Sequence, residues 1–330
     1  MIFPDAEIAG IVRTTLALSS GDSLEITGLS KRGSERNFFR ALINGKPVIV
    51  INYNPDREEN NYYAGLARFL KSIGVAVPEI IADDEQFHVT IMQDLGSTDL
   101  WSFRNAPWEE RGDLYRRSLD MLCRLHSFPA GNAGIKTMPG FGPELYRWER
   151  EYFRENFIEA FCRLQIGEGQ IALLESELGG LAGRLCKSRN CLVHRDFQSQ
   201  NIMVCNAKVY LIDFQGMRTG SPFYDLGSLL YDPYVRLGKQ ERLEMLEYYF
   251  RISGSGLEWE VFEKLYREAA TQRLMQSLGA YGFLGLKKGL SSFLEHIPAA
   301  LENLIDAAEN CGSLPRLLET ANLCREKLGT

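Results

Sequence analysis

The stretch from Leu192 to Gln215 constrains this chain more than any other. It reads Leu192-Val193-His194-Arg195-Asp196-Phe197-Gln198-Ser199-Gln200-Asn201, continues through Ile202-Met203-Val204, turns at Asn206-Ala207, and resumes as Val209-Tyr210-Leu211-Ile212-Asp213-Phe214-Gln215. A short hydrophobic strand runs into each acid, Asp196 and Asp213, and an amide, Asn201, stands at the start of the intervening strand. A His-x-Asp tripeptide alone arises by chance. The specificity lies in the combination of loop acid, strand-start amide and strand-end acid.

That combination supplies what phosphoryl transfer needs. The reaction spreads negative charge over the oxygens of the moving group, so catalysis rests on positioning and on cations held in place. Asp196 is the expected base, orienting and deprotonating an attacking hydroxyl. Asn201, a neutral oxygen ligand, and Asp213, an anionic one, are the expected holders of Mg2+. His194 and Arg195 read as structural supports of the loop. Zinc at His194 and Asp196 is a poor alternative, because no third nitrogen or sulfur ligand follows at useful spacing.

Composition sets the bounds. At 330 residues and 45% hydrophobic content the chain is long enough for about two domains and a sizeable core. Its net charge is -6, with Lys and Arg scattered, which argues against a nucleic-acid partner. The seven Cys residues include no Cys-x-x-Cys pair, so they read as reduced thiols of a cytoplasmic protein. The start, Met1-Ile2-Phe3-Pro4-Asp5, lacks the basic and apolar regions of a secretory leader, and no apolar run is long enough to span a bilayer. Neither a membrane nor a protein partner is implied.

Along the chain, helical spacing over 6–18 gives way to strand signals at Leu24–Ser30, Phe38–Ile43 and Val48–Asn52, with Asn44-Gly45 a favoured hairpin turn. Residues 57–73 show one apolar helical face, with Gly74 as its stop, and Phe87–Met92 reads as another strand. From Pro107 onward helices dominate, at 168–187 and over almost everything beyond Lys239. The expected fold class is α+β: a strand-rich N-terminal lobe over 1–97 that binds nucleotide and ends in a hinge, then a larger, mostly helical lobe over 98–330 carrying the catalytic loop and substrate site.

The arrangement resembles the kinase-like phosphotransferases, the superfamily of aminoglycoside, choline and protein kinases. Asp213-Phe214-Gln215 replaces the Asp-Phe-Gly of protein kinases, and Asp225 follows too soon for their activation segment. Within the small-molecule branch the chain is similar to bacterial anomeric kinases of cell-wall sugar recycling, which act on N-acetylmuramate and N-acetylglucosamine. The likeness rests on Gly33-Ser34-Glu35-Arg36-Asn37-Phe38-Phe39-Arg40, on Met92-Gln93-Asp94-Leu95-Gly96, on the central stretch, on Tyr224-Asp225-Leu226 and on Gln272-Arg273-Leu274.

The resemblance implies ATP and Mg2+ as cofactors and a small sugar as acceptor. It puts Gly33, Ser34, Arg36, Asn37 and Arg40 over the nucleotide phosphates, and Met92, Gln93, Asp94 and Leu95 at the adenine. Asp225 becomes the brace of the catalytic loop, with a helix N-cap as its plainer alternative. Gln198, Gln215, Tyr231 and Arg273 are the candidate substrate contacts. Three departures stand out. The third strand has Val50-Ile51-Asn52 where the superfamily usually has a lysine, and Gln198 and Gly216 replace a histidine and an acid frequent in the narrower group. Changes beside the sugar point to a different sugar, the acidic balance leaves open an aminoglycoside- or choline-type phosphotransferase, and the missing lysine leaves open a nucleotide-binding pseudokinase.

Overall fold

A computed structural model describes residues 5–29, 36–129, 134–188 and 190–329. They fall into two compact units. The first comprises Met1–Thr98, Gly134–Met138 and Met203–Gly216, and the second Asp99–Ala133, Pro139–Ile202 and Met217–Thr330.

In the first unit α1 (Asp5–Thr15) precedes β1 (Leu24–Gly28), β2 (Asn37–Ile43) and β3 (Lys46–Asn52), and α2 (Tyr63–Ser72) precedes β4 (Ile80–Asp84) and β5 (Val89–Gln93). The strands form one antiparallel sheet in the order β1-β2-β3-β5-β4. Side chains alternate between its faces, so Phe39 and Ala41, Val48 and Val50, and Val89 and Ile91 turn the same way and bury Ile8, Ile11 and Val12 of α1. The hairpin between β2 and β3 turns at Asn44 and Gly45 with φ of 50° and 77°, as their turn chemistry predicts. The helix expected over 57–73 begins instead as a tighter 3-10 turn, Glu58–Tyr62. Two amides account for it: Asn60 Nδ2 donates to Asn54 O and Asn61 Nδ2 to Pro55 O, each at 2.9 Å, holding the entry away from α geometry.

The second unit contains α3 (Trp108–Ser127), α4 (Pro143–Phe153), continued as a π-helical segment Arg154–Phe161, and α5 (Glu168–Lys187), which coincides with the span read from sequence. Next come β6 (Cys191–Val193), β7 (Ile202–Cys205), β8 (Lys208–Leu211) and β9 (Arg218–Gly220), of which most of the β7-β8 hairpin belongs to the first unit. Strand β6 pairs with β9, a three-residue strand too short to show any periodicity. Then follow α6 (Pro222–Leu230), α7 (Lys239–Ser253), α8 (Trp259–Gly282), α9 (Ile297–Cys311) and α10 (Pro315–Leu328). Helix α8 is the axis of this unit, packing on α4, α6 and α9. Its close neighbours need glycine: a Cβ at Gly227 of α6 would lie 2.6 Å from Ala270 Cα. No described helix is long and apolar enough to cross a membrane.

Candidate active site

The loop after β6 is fixed by its main chain. The Asp225 carboxylate, wholly buried in the first turn of α6, accepts the His194 N–H at 2.7 Å and the Arg195 N–H at 2.8 Å. His126 Nε2 lies 3.0 Å from the same carboxylate, and Tyr249 Oη is 2.6 Å from His126 Nδ1. Capturing two successive amides demands a sharp turn, and Arg195 sits at φ 79°, in the left-handed region that non-glycine residues seldom occupy. The far end of the loop is held by another buried acid. Asp232 accepts the Ser199 N–H at 2.8 Å, the Ser199 hydroxyl at 2.5 Å and the Tyr234 N–H at 2.9 Å. Burial pushes the Asp232 pKa up, against the hydrogen bonds from Ser199.

Between these anchors the Asp196 side chain remains 30% exposed. Its Oδ1 accepts from Arg273 Nη2 at 3.1 Å, while Arg195 Nη1 stands 3.8 Å from Oδ2. Arg273 is buried in α8 and also donates to Ser228 Oγ at 3.2 Å, Ser277 Oγ at 2.8 Å and Gln276, and reaches Gln198 Oε1 at 3.5 Å. Burial opposes its charge most strongly, but Asp196 together with Tyr224, Tyr281 and Glu149 outweighs it and the Arg273 pKa is raised. Near these two lies Glu149, fully buried, accepting from Tyr224 Oη and Gln272 Nε2 at 2.9 Å each. Burial raises its pKa, opposed by Gln272, Arg195, Tyr224 and Arg273.

Asp213 belongs to the first unit and has its own local frame. It sits at φ 63°, a conformation Asp tolerates better than most side chains. Its Oδ1 accepts from Arg36 and, at 3.0 Å, from Gln215 Nε2. The adjoining Phe214 ring stacks on Tyr63 of α2 with centroids 4.6 Å apart. Arg40 forms a two-pronged pair with Asp94, at 2.5 and 3.1 Å, whose Oδ1 also accepts the Gly96 N–H at 2.8 Å. Thus both arginines expected over phosphates are engaged by carboxylates here. Asn37 Nδ2 meets Asn52 Oδ1 at 3.3 Å, and Met92 Sδ accepts from Tyr63 Oη at 3.4 Å. Gln93 exchanges bonds with Glu79 across the sheet edge, and Leu95 is buried. Gly33 and Ser34, with Lys31 and Arg32, lie outside the described residues.

The structure brings Gln198 and Arg273 to Asp196, and Gln215 to Asp213. It sends Tyr231 elsewhere: that hydroxyl donates to Asp306 at 2.8 Å. Asp232, His126 and Glu149 escaped the reading from sequence. Asp232 follows Tyr231 in Tyr231-Asp232-Pro233-Tyr234, a buried acid with nothing local to mark it.

The two oxygen donors expected to hold a metal lie one in each unit. Asn201 spends its Nδ2 on the Asp196 carbonyl at 2.9 Å, which orients the amide and leaves Oδ1 as the oxygen to offer. Asp213 offers a carboxylate. No cluster of three or more His, Cys, Asp or Glu side chains fit to hold a metal occurs among the described residues.

The fold is that of the kinase-like phosphotransferases. The sequence profile of the phosphotransferase enzyme family matches residues 25–265, and the chain belongs to that family. Its members transfer phosphate, here to a hydroxyl. Among curated proteins it is similar to the N-acetylmuramate/N-acetylglucosamine kinase of Pseudomonas putida, with 24% identity over 91% of this chain and 88% of that one. Among solved structures it is similar in fold to the aminoglycoside phosphotransferase APH(2'')-Ib with ADP bound, at TM-score 0.61 and 18% identity over 92% of this chain and 99% of that one. A choline/ethanolamine kinase family protein from Mesorhizobium loti gives TM-score 0.62 and 15% identity over 96% and 99%.

Proposed function

We propose that the protein transfers the γ-phosphoryl group of ATP to the anomeric hydroxyl of N-acetylmuramate or N-acetylglucosamine, giving a sugar 1-phosphate. The observation that carries the reading is the Arg273–Asp196 pair beside Gln198, in a chain aligned over nine-tenths of its length with a kinase named for those sugars. Asp196 accepts the hydroxyl proton as the sugar oxygen bonds to phosphorus and ADP departs. Arg273 fixes the carboxylate's direction, so the acceptor oxygen meets a base already aimed. Arg36, Asn37 and Arg40, with Gly33 and Ser34, serve the phosphates, and residues 92–95 serve the base. Asn201 and Asp213 are the ligands for magnesium, which when bound neutralises charge on the phosphates. His194 and Arg195 support the loop.

Phosphate transfer from labelled ATP across a panel of amino sugars, hexoses, choline and aminoglycosides tests this, with phosphorus NMR locating the product's phosphate. Labelling confined to cationic acceptors would refute the cell-wall-sugar reading in favour of the aminoglycoside or choline type, which the net charge of -6 and the fold neighbours favour. Asp213→Ala should abolish turnover and leave the fold intact. Normal turnover in that variant would defeat the assignment of Asp213.

A further inference from the structure

Helices α7, α8 and α9 border a cavity of about 100 Å³ lined by Lys239, Arg242, Tyr266, Arg267, Asp306 and Asn310. Three cationic side chains face one carboxylate. Asp306 is already engaged, by Tyr231 Oη at 2.8 Å, Arg242 Nη1 at 2.7 Å and Lys239 Nζ at 3.5 Å. Burial would raise its pKa, but Tyr231 and the cations Arg242 and Lys239 prevail and hold it below the ordinary carboxylate value. Arg267 divides its donors between Glu263 at 2.6 Å and the Tyr231 hydroxyl oxygen at 3.2 Å.

An ion cluster clamping α7 to α9 explains those bonds but leaves two donors over. Tyr266, 1% exposed and stacked on Tyr231 with centroids 5.7 Å apart, has a hydroxyl with no hydrogen-bond partner, and Arg242 Nε is likewise buried without one. Burial pushes the Tyr266 pKa well up, so this hydroxyl keeps its proton and remains a donor. Native interiors seldom leave a donor unmatched.

We propose that this cavity binds a small tetrahedral oxyanion of the phosphate class, received by the Tyr266 hydroxyl, Arg242 Nε and the Lys239 ammonium. The occupant is either inorganic phosphate or the phosphate group of a monoester. Every group belongs to the helical unit, and none is part of the catalytic loop.

The test is calorimetric titration of the full chain, with a non-hydrolysable ATP analogue present in excess to cover any nucleotide site. Inorganic phosphate and glycerol 1-phosphate form two arms, and sodium chloride at matched ionic strength is the control. The expected result is binding in at least one arm, weakened about tenfold or more in Tyr266→Phe and in Lys239→Gln, as loss of one charge-assisted bond implies. Tyr266→Phe removes only a hydroxyl that bonds nothing, and Lys239 is a surface side chain, so both variants should melt with the parent. Stronger binding in the phosphate arm assigns the free ion, and stronger binding in the other assigns the monoester. No binding in either arm, equal binding by both variants, or a chloride response matching the phosphate response would each overturn the proposal.

Discussion

Asp232 grips Ser199 twice, through the main-chain N–H at 2.8 Å and the hydroxyl at 2.5 Å, and the same carboxylate takes the Tyr234 N–H. The end of the Asp196 loop next to Asn201 is therefore set by a buried acid far along the chain. Replacing Asp232 with Ala strands three donors. Unfolding in urea should show a loss of about 2–4 kcal/mol, and turnover should fall on the order of 10²-fold as Asn201 and Asp196 lose register. Ser199→Ala removes one bond alone and should fall between the parent and Asp232→Ala in both measurements. An Asp232→Ala protein with parental turnover would show that the loop does not depend on this anchor.

Glu149 gives a pH signature. Its folded pKa is raised, chiefly by burial, above the ordinary 4.5. The native state then holds a proton that the unfolded chain has released. Stability from this group is full below the unfolded pKa and is lost as pH rises through the folded one. Glu149→Gln cannot ionise, and the swap is accommodated because Gln272 Oε1, which lacks a partner, accepts the new amide N–H once the Gln272 amide turns over. The melting temperature of Glu149→Gln, relative to the parent, should therefore climb as pH goes from about 4 to about 8. A difference that stays level across that range would show that Glu149 titrates normally.

Arg273 separates aim from affinity. Arg273→Lys keeps a positive charge but loses the fork that spans Asp196, Ser228 and Ser277. Steady-state kinetics should show kcat falling on the order of 10-fold to 10²-fold, with KM for ATP nearly unchanged. If KM for ATP rises and kcat holds, Arg273 serves the nucleotide and the assignment fails.

Gly227 sets the approach of α6 to α8. Gly227→Ala places a methyl 2.6 Å from Ala270 Cα, backbone that cannot turn aside. Chemical denaturation should register a loss of about 1–3 kcal/mol, and activity should drop with it, because α6 bears Asp225 and α8 bears Arg273. Full stability in this variant would mean that the two helices part freely.

How far the sequence could be read depends on the separation of interacting residues. Asp196, Asn201 and Asp213 fall within one short stretch, so their pattern is visible on its face, and so is the Asn44-Gly45 turn. Residues joined across long separations were not. Ser199 and Asp232 are 33 positions apart, Tyr224 and Glu149 are 75, and His126 and Asp225 are 99. No local period marks such pairs, since burial makes them and burial is a property of the whole fold. The same limit governed Tyr231, an aromatic near the motif by sequence whose hydroxyl the fold commits to Asp306. Arg36 and Arg40 carry charge that suits phosphate, but nothing local marks Asp213 and Asp94 as the partners the fold gives them.

The left-handed turn at Arg195 and the two amides on Asp225 have a consequence for how this enzyme can diversify. The mooring is to peptide groups, which every residue except proline carries, so the course of the backbone at His194 and Arg195 is set by main-chain bonds to Asp225. A change at Gln198, beyond them, leaves the anchored backbone presenting an acid at the same point. A lineage built this way changes its clientele without rebuilding its machinery.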